Sequence, residues 1–148
     1  MSTLASQEVT DYFRSIHGST YAADENIPVT FPVDMLRDRL DVVLHTVVRL
    51  SYDGVNVPVD ADAMLRAKET DSGQAGARVL DIVTNSGTWV REMATEYSNA
   101  TFVSIDSKPL TPHEPHSRIQ FEVYDYYVGI RQPTSSFDLV HLRQGVLG

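Results

Sequence analysis

The stretch from Arg78 to Asp106 constrains the fold more than any other part of the sequence. It opens with Arg78–Val83, a short run of mostly branched apolar residues that is typical of a strand buried on both faces. Apolar residues at helical spacing follow over 87–98, and Thr101–Ile105 forms a second strand-like run that ends at Asp106. A strand, a helix and a strand in this order predict a right-handed crossover between parallel neighbours.

The rest of the C-terminal half extends this pattern. Ile119–Val123 and Phe137–Leu142 are two further candidate strands, separated from the earlier ones by turn-rich segments. Strands and helices that alternate in this way predict an α/β protein with a Rossmann-like, partly doubly wound parallel sheet of about four strands. N-terminal helices are expected to precede that sheet.

The clearest of these helices is expected to begin at Asp34, a plausible N-cap, and to end near Leu50. Its apolar residues recur at three- and four-residue steps, which places them on one helical face. These residues are Leu36, Leu40, Val43, Leu44, Val47 and Val48.

The remainder of residues 1–77 is predicted as a helical section with a linker. A first helix is expected over about 5–17. Its apolar residues are Leu4, Val9, Phe13 and Ile16. Asp60 is expected to cap a short helix, and the polar run Lys68–Ala77 is expected to link this section to a half-domain over 78–148. The two parts are expected to form one compact unit.

Composition and charge argue against several kinds of binding partner and cellular location. The formal net charge of -8 and a pI of about 4.9 oppose binding to a nucleic-acid backbone, which requires a basic surface. The sequence contains no cysteine, which excludes disulfides and a thiol nucleophile. The N-terminus has no leader-like apolar run, and no stretch approaches the roughly 18 apolar residues of a membrane helix. A cytoplasmic or nuclear protein without membrane contact is expected.

A ligand site is expected at the loop between the first strand of the sheet and its helix. The loop residues are Val83, Thr84, Asn85, Ser86 and Gly87. Ligands of such sheets bind at the carboxyl ends of the strands, where the loop N–H groups and the helix N-terminus favour an anionic group such as a carboxylate. Asp106 lies nineteen positions after Gly87, at the end of the second strand, where a carboxylate can accept both hydroxyls of a ribose. Loop and acid together indicate a nucleoside ligand.

The residues of this loop also carry a family resemblance. Arg78–Trp89, RVLDIVTNSGTW, resembles motif I of the class I methyltransferases that use S-adenosylmethionine (SAM), and especially the motif RILDIGTGTGIW of fungal LaeA-like regulators of secondary metabolism. Four further segments are similar to stretches of that family in the same order. They are Phe31–His45 (LPxDxxExxRLDxQH in the family), Asp53-Gly54 (DGK), Phe121–Asp125 (FEVDDA) and Ser136–Gly148 (SFDxIHxRxLxG).

The resemblance implies a SAM-dependent methyltransferase-like protein that transfers a methyl group to an unknown acceptor. It places Asp81 at the base of the loop, Asp106 on the ribose of SAM, Asp125 near the adenine amino group and Trp89 behind the loop. The residues from Val83 to Gly87 would line the cofactor. It names no catalytic residue for this chain.

The sequence departs from the family at the positions where glycine matters most. Val83 and Asn85 stand where the family has the first two of three loop glycines, and Gly87 alone remains. Glycine permits positive φ and a close approach of ligand to backbone. Valine is therefore compatible with the loop only if its backbone stays in the β region. Tyr124 likewise replaces one of two acids before the adenine loop.

These departures favour an alternative, a non-catalytic relative that serves as an interaction module. Because the family's chains continue well beyond this length, the strand Phe137–Leu142 is expected to have an exposed edge that supports a homodimer or a partner protein. An NAD-type oxidoreductase is a third alternative, against which the absent G-x-G-x-x-G spacing argues. His113 and His116 invite a metal hypothesis without an evident third ligand. His45 and His141 are expected to be structural rather than catalytic.

Overall fold

The computed structural model describes residues 13–23, 32–70, 75–107 and 114–143. Along the chain the elements are β1 (Phe13–Ile16), β2 (Ser19–Ala22), α1 (Met35–Ser51), α2 (Val59–Thr70), β3 (Arg78–Ile82), α3 (Thr88–Glu96), β4 (Thr101–Asp106), β5 (Ile119–Val123), a 3-10 turn (Tyr126–Val128) and β6 (Leu139–Leu142). None of the described helices is both long and apolar enough to cross a membrane.

The strands β3 to β6 form one parallel sheet in the order β5-β4-β3-β6. The chain runs outward from β3 to β4 and β5 and then returns to pair β6 with the other side of β3. Asp81 in the centre of the sheet is therefore in register with Ser104 on one neighbour and His141 on the other. This arrangement confirms the predicted Rossmann-like α/β sheet, and it places the reversal of strand order between β3 and β6.

The main core lies between the sheet and the helices α2 and α3. Its buried residues come from both parts of the chain. They are Val57, Leu65, Ala77, Val79, Trp89, Val90, Met93, Ala94, Tyr97, Ala100, Phe102 and Ile119. A smaller cluster of Leu80, Ile105 and Tyr124 forms a second buried core. Val140 and Leu142 of β6 are 57% and 58% exposed.

The helix α1 has the predicted bounds but turns an unexpected face to the protein. The Arg37 backbone N–H donates to Asp34 Oδ1 at 3.4 Å, in agreement with an N-cap at Asp34. Asp41 and His45 are each only 2% exposed, because both side chains have specific partners on the body of the protein. The opposite, apolar stripe faces solvent, with exposures between 46% and 70%. It consists of Leu40, Val43, Val47 and Leu50.

Two predictions for the N-terminal section are wrong. Residues 13–16 form the strand β1 and not the end of a helix, because His17 and Gly18 have φ of 51° and 84° and make a tight turn into β2. Leu4 and Val9 lie outside the described residues. The run Lys68–Ala77 is not wholly a linker, since α2 continues through Thr70 and Lys68 pairs with Asp138 at 2.6 Å.

A pair of alanine substitutions tests whether α2 belongs to the main core. Leu65→Ala removes a fully buried side chain, and we expect a loss of about 2–5 kcal/mol in the free energy of unfolding. Val59→Ala is the control on the same helix, because Val59 is 81% exposed and its truncation is expected to cost less than about 0.5 kcal/mol. Urea denaturation, monitored by circular dichroism, measures the free energy of unfolding of both variants. Equal losses would contradict the packing of α2.

Candidate functional site

The loop from Val83 to Gly87 lies beside Asp106 at the carboxyl end of the sheet. The N–H groups of Val83 and Thr84 donate to the carbonyl oxygen of Ile105 at 3.0 and 3.3 Å. The Asn85 N–H donates to Asp106 Oδ2 at 3.0 Å in a buried hydrogen bond. The structure therefore brings the predicted loop and the predicted ribose-binding acid into direct contact.

The loop backbone is left-handed at the positions where the family has glycine. Val83, Asn85 and Gly87 have φ of 63°, 48° and 76°. Val83 therefore does not meet the condition of a β-region backbone under which valine was compatible with the loop. A β-branched residue at positive φ is a steric outlier, and the left-handed region costs an L-residue about 1–2 kcal/mol. The Asn85 side chain offsets part of this cost by donating from Nδ2 to the carbonyl oxygen of Val83 at 3.1 Å.

Every backbone N–H group of this loop donates a hydrogen bond to an oxygen atom of the protein itself. The Ser86 N–H donates to Asp41 Oδ2 at 3.2 Å, and the Ser86 hydroxyl donates to the same oxygen. The Gly87 N–H donates to the carbonyl oxygen of Thr84 at 2.9 Å. An anionic ligand group, which the sequence led us to expect at this loop, would have to compete with Asp41 for the Ser86 N–H.

A second contact ties α1 to the strand β6. Arg143, which follows β6, donates from Nη1 to His45 Nδ1 at 2.7 Å. Because a guanidinium group only donates, His45 Nδ1 is an acceptor and Nε2 carries the proton that is shared with Glu92 Oε2 at 3.0 Å. Since Asp41 contacts the loop after β3 and His45 contacts the residue after β6, α1 lies across the point where strand order reverses.

The Glu92 carboxylate gathers several donors beneath α1. His45, Arg49 and Asn56 all reach its Oε2 atom, at 3.0, 3.2 and 3.1 Å. Partial burial opposes the charge, but the hydrogen bonds from His45 and Asn56 and the positive charge of Arg49 hold the pKa of Glu92 below its ordinary value. The cluster fixes α1 against α3 at neutral pH.

The Asp81 carboxylate is buried, and both of its oxygens have partners within the protein. Ser104 Oγ donates to Oδ2 at 3.2 Å, and His141 Nδ1 lies 2.8 Å from Oδ1. The His141 ring stacks on Trp89 with centroids 3.6 Å apart, and Trp89 Nε1 donates to the carbonyl oxygen of Asn56 at 3.0 Å. Asp81 thus holds neighbouring strands together at the base of the loop, and buried Trp89 packs there.

Asp125 lies at the same edge of the sheet, one strand further from the loop than Asp106. The Tyr124 N–H donates to the carbonyl oxygen of Asp106 at 3.0 Å, which joins the ends of β4 and β5. The Asp125 side chain accepts the Tyr127 N–H at 2.9 Å and so caps the 3-10 turn. Burial, the hydrogen bond with Tyr127 and the negative charge of Asp106 raise the pKa of Tyr126.

Sequence reasoning missed the contribution of α1 to this edge. Asp41, Glu92 and Arg143 were not predicted as residues of the site, although Asp41 and His45 stand four residues apart and therefore share one face of an amphipathic helix. That spacing was the available signal. Within the described part of the chain, the buried Asp41 Oδ1 and Thr84 Oγ1 atoms have no hydrogen-bond partner. No group of three metal-binding side chains occurs there, and His113 lies outside it.

The fold is that of a Rossmann-like α/β protein. The loop after its first parallel strand, β3, lies at the carboxyl edge of the sheet, where proteins of this class bind ligands. The curated relatives of the chain are LaeA-like proteins and a methyltransferase. The chain is 29% identical over 112 residues to Methyltransferase str3 of Strobilurus tenacellus, covering 76% of this chain and 36% of the relative. It is 28% identical over 137 residues to Secondary metabolism regulator laeA of Aspergillus flavus, covering 90% and 33%.

A third relative, Secondary metabolism regulator laeA of Monascus pilosus, is 27% identical over 115 residues, covering 76% of this chain and 28% of the relative. The chain therefore spans about a third of the length of these relatives and is related to the LaeA-like methyltransferases over most of its own length. No protein-family model matches the chain. No solved structure matches it either.

Glycine and alanine substitutions at Val83 test the left-handed backbone of the loop. Both remove the valine side chain, but only glycine relieves the strain at φ of 63°. We expect Val83→Gly to be more stable than Val83→Ala by about 1 kcal/mol. Val55 is not among the positive-φ residues. At this position we expect Val55→Ala to be more stable than Val55→Gly by about 0.5–1 kcal/mol, because glycine loses more conformational freedom on folding. Thermal unfolding of the four variants gives the comparison, and alanine above glycine at both positions would contradict the loop geometry.

Proposed function

We propose that this chain is a SAM-binding, methyltransferase-like domain that serves methyl transfer to an acceptor of unknown identity. The observation that carries the proposal is the hydrogen bond of 3.0 Å between the loop residue Asn85 and Asp106. It joins the loop after β3 to an acid at the end of β4, which is the arrangement that suits a nucleoside at the carboxyl edge of such a sheet. The names of the relatives, a methyltransferase and a regulator called laeA, support the same class.

The residues of this edge would divide the binding of SAM among them. In the proposal Asp106 binds the ribose, Asp125 lies toward the adenine, and the loop from Val83 to Gly87 surrounds the amino-acid part. Asp81 acts through the strands and fixes the base of the loop. SAM supplies an electrophilic methyl group on its sulfonium. The chain's own contribution is to hold cofactor and acceptor close and aligned, and none of its residues is proposed as a catalytic acid or base.

Two orphaned oxygens indicate that the edge fits a ligand with hydrogen-bond donors. Asp41 Oδ1 beside the loop and Thr84 Oγ1 within it are buried and lack partners among the described residues. Buried polar atoms in folded proteins are nearly always hydrogen-bonded, so a polar ligand or water is expected to satisfy them. SAM carries an ammonium group and hydroxyls that can donate.

Calorimetric titration of the 148-residue chain with SAM and with S-adenosylhomocysteine tests the proposal. We expect one saturable site for each ligand. Asp106→Asn should weaken both roughly 10- to 100-fold, because it removes the charge that strengthens hydrogen bonds to the ribose. Asp60→Asn on the exposed first turn of α2 is the matched control and should bind as the wild type does. Absence of heat and of any thermal shift at millimolar ligand would refute SAM binding.

A second candidate function, a non-catalytic interaction module, has its own supporting observation. The stripe of Leu40, Val43, Val47 and Leu50 on α1 is exposed, and so are Val140 and Leu142 on β6. Among the described strands none pairs with the outer side of β6. Contiguous apolar surface and an open strand edge favour association with a second copy or a partner protein. We propose a homodimer as the simplest form of this association.

The mass of the protein in solution tests the association. We expect a dimer in sedimentation velocity at tens of micromolar protein. Val140→Lys should return it to a monomer if β6 forms the interface, and Val47→Lys should do so if α1 forms it, because a buried unpaired ammonium opposes both contacts. Val59→Lys is the control, since Val59 is 81% exposed and lies outside both surfaces. A monomeric wild type would exclude the homodimer.

A further inference from the structure

Asp41 is a buried carboxylate with an unusual set of partners. Its Oδ2 atom accepts from both the N–H and the hydroxyl of Ser86, whereas its Oδ1 atom has no partner among the described residues. Only 2% of the residue is exposed. None of the ion pairs found in the described part of the chain involves Asp41. A buried carboxylate is costly unless a cation or further donors compensate it.

Thr84 adds a second unsatisfied oxygen to the same short turn. Its carbonyl oxygen accepts the Gly87 N–H, so Thr84 and Ser86 belong to one tight turn between β3 and α3. The Thr84 residue is 7% exposed, and its hydroxyl oxygen lacks a partner among the residues described. This turn and the Asp41 side chain that contacts it therefore contain one carboxylate oxygen and one hydroxyl oxygen that accept no hydrogen bond from the described residues. A carboxylate accepts hydrogen bonds, and a hydroxyl can also accept them.

We propose that Asp41 and Thr84 bind the cationic α-amino group of the cofactor's amino-acid part, which makes α1 a part of the ligand site. This inference rests on the proposed function. An ammonium group supplies up to three donors and one positive charge, which are what an unpaired carboxylate and a hydroxyl oxygen without a donor require. A ligand carboxylate would meet the charge of Asp41 at the Ser86 N–H and is disfavoured there.

In this proposal Asp41 binds a different part of the ligand from the residues that bind the nucleoside. Asp106 contacts the loop at Asn85, and Asp41 contacts it at Ser86, on the side that α1 covers. Loss of the Asp41 charge should therefore weaken ligands that carry the amino group and should spare ligands that consist of the nucleoside alone. If Asp41 had only a structural role, its substitution would lower the affinity for both kinds of ligand equally.

The test compares S-adenosylhomocysteine, which has the α-amino group, with 5′-methylthioadenosine, which lacks the amino-acid part. For Asp41→Asn, which keeps an acceptor for Ser86, we expect a loss of roughly 10- to 100-fold in affinity for S-adenosylhomocysteine and no change for methylthioadenosine. Asp38→Asn removes the same charge from the same helix outside this turn and should leave both affinities unchanged. Calorimetry measures the affinities, and thermal melting shows that each variant is folded.

Thr84→Val provides a second, nearly isosteric variant should Asp41→Asn not fold. It removes the hydroxyl without removing a charge, and we expect a loss of several-fold for S-adenosylhomocysteine alone. Unchanged affinity for S-adenosylhomocysteine in the folded variants, or equal losses for both ligands, would overturn the inference while leaving SAM binding intact. A wild type that binds neither ligand would instead overturn the proposed function itself, and this inference with it.

Discussion

The conformation of the loop at the carboxyl edge depends on two buried carboxylates that accept hydrogen bonds from neighbouring N–H groups of that loop. Asp106 accepts the Asn85 N–H and Asp41 accepts the Ser86 N–H. Hydrogen bonds to charged groups contribute about 1.5–3 kcal/mol each, which is enough to offset the roughly 1–2 kcal/mol that a left-handed Val83 costs. The strained backbone of this loop is thus maintained mainly by Asp41 and Asp106, with a contribution from the Asn85 side chain.

The same constraint decides which face of α1 is exposed. Asp41 and His45 are four residues apart and lie on one helical face, so their contacts with Ser86 and Arg143 fix the rotation of the helix. The apolar stripe that includes Val43 then has to face outward. An exposed apolar stripe normally signals a partner. The placement of a polar pair over the ligand edge and the exposure of an apolar surface are therefore two consequences of one helix orientation.

Local signals in the sequence predicted the sheet and its helices. The partner of Asp41 and the backbone conformation of Val83 depend on tertiary contacts, which the sequence does not show. The strands from Arg78 to Leu142 and the helix α3 follow from apolar periodicity, which reports burial directly. Periodicity also located α1, but it could not show that Asp41 has a buried partner forty-five residues away. The left-handed Val83 was unpredictable for a different reason, since valine is among the residues least suited to that conformation. The contact between the loop and Asp106 could be expected from the sequence, whereas the contact between the loop and α1 could not.

The geometry also changes what the loss of two loop glycines means. Glycine serves such a loop by permitting positive φ and by leaving room for a ligand. The first property survives here, because Val83 and Asn85 adopt the left-handed backbone and Gly87 continues it. Only the second property differs, since each substitution adds a side chain where glycine has none. What the two substitutions change for the proposed cofactor is therefore the space that the Val83 and Asn85 side chains occupy, because a loop that Asp41 and Asp106 hold in place reaches its conformation without glycine at positions 83 and 85.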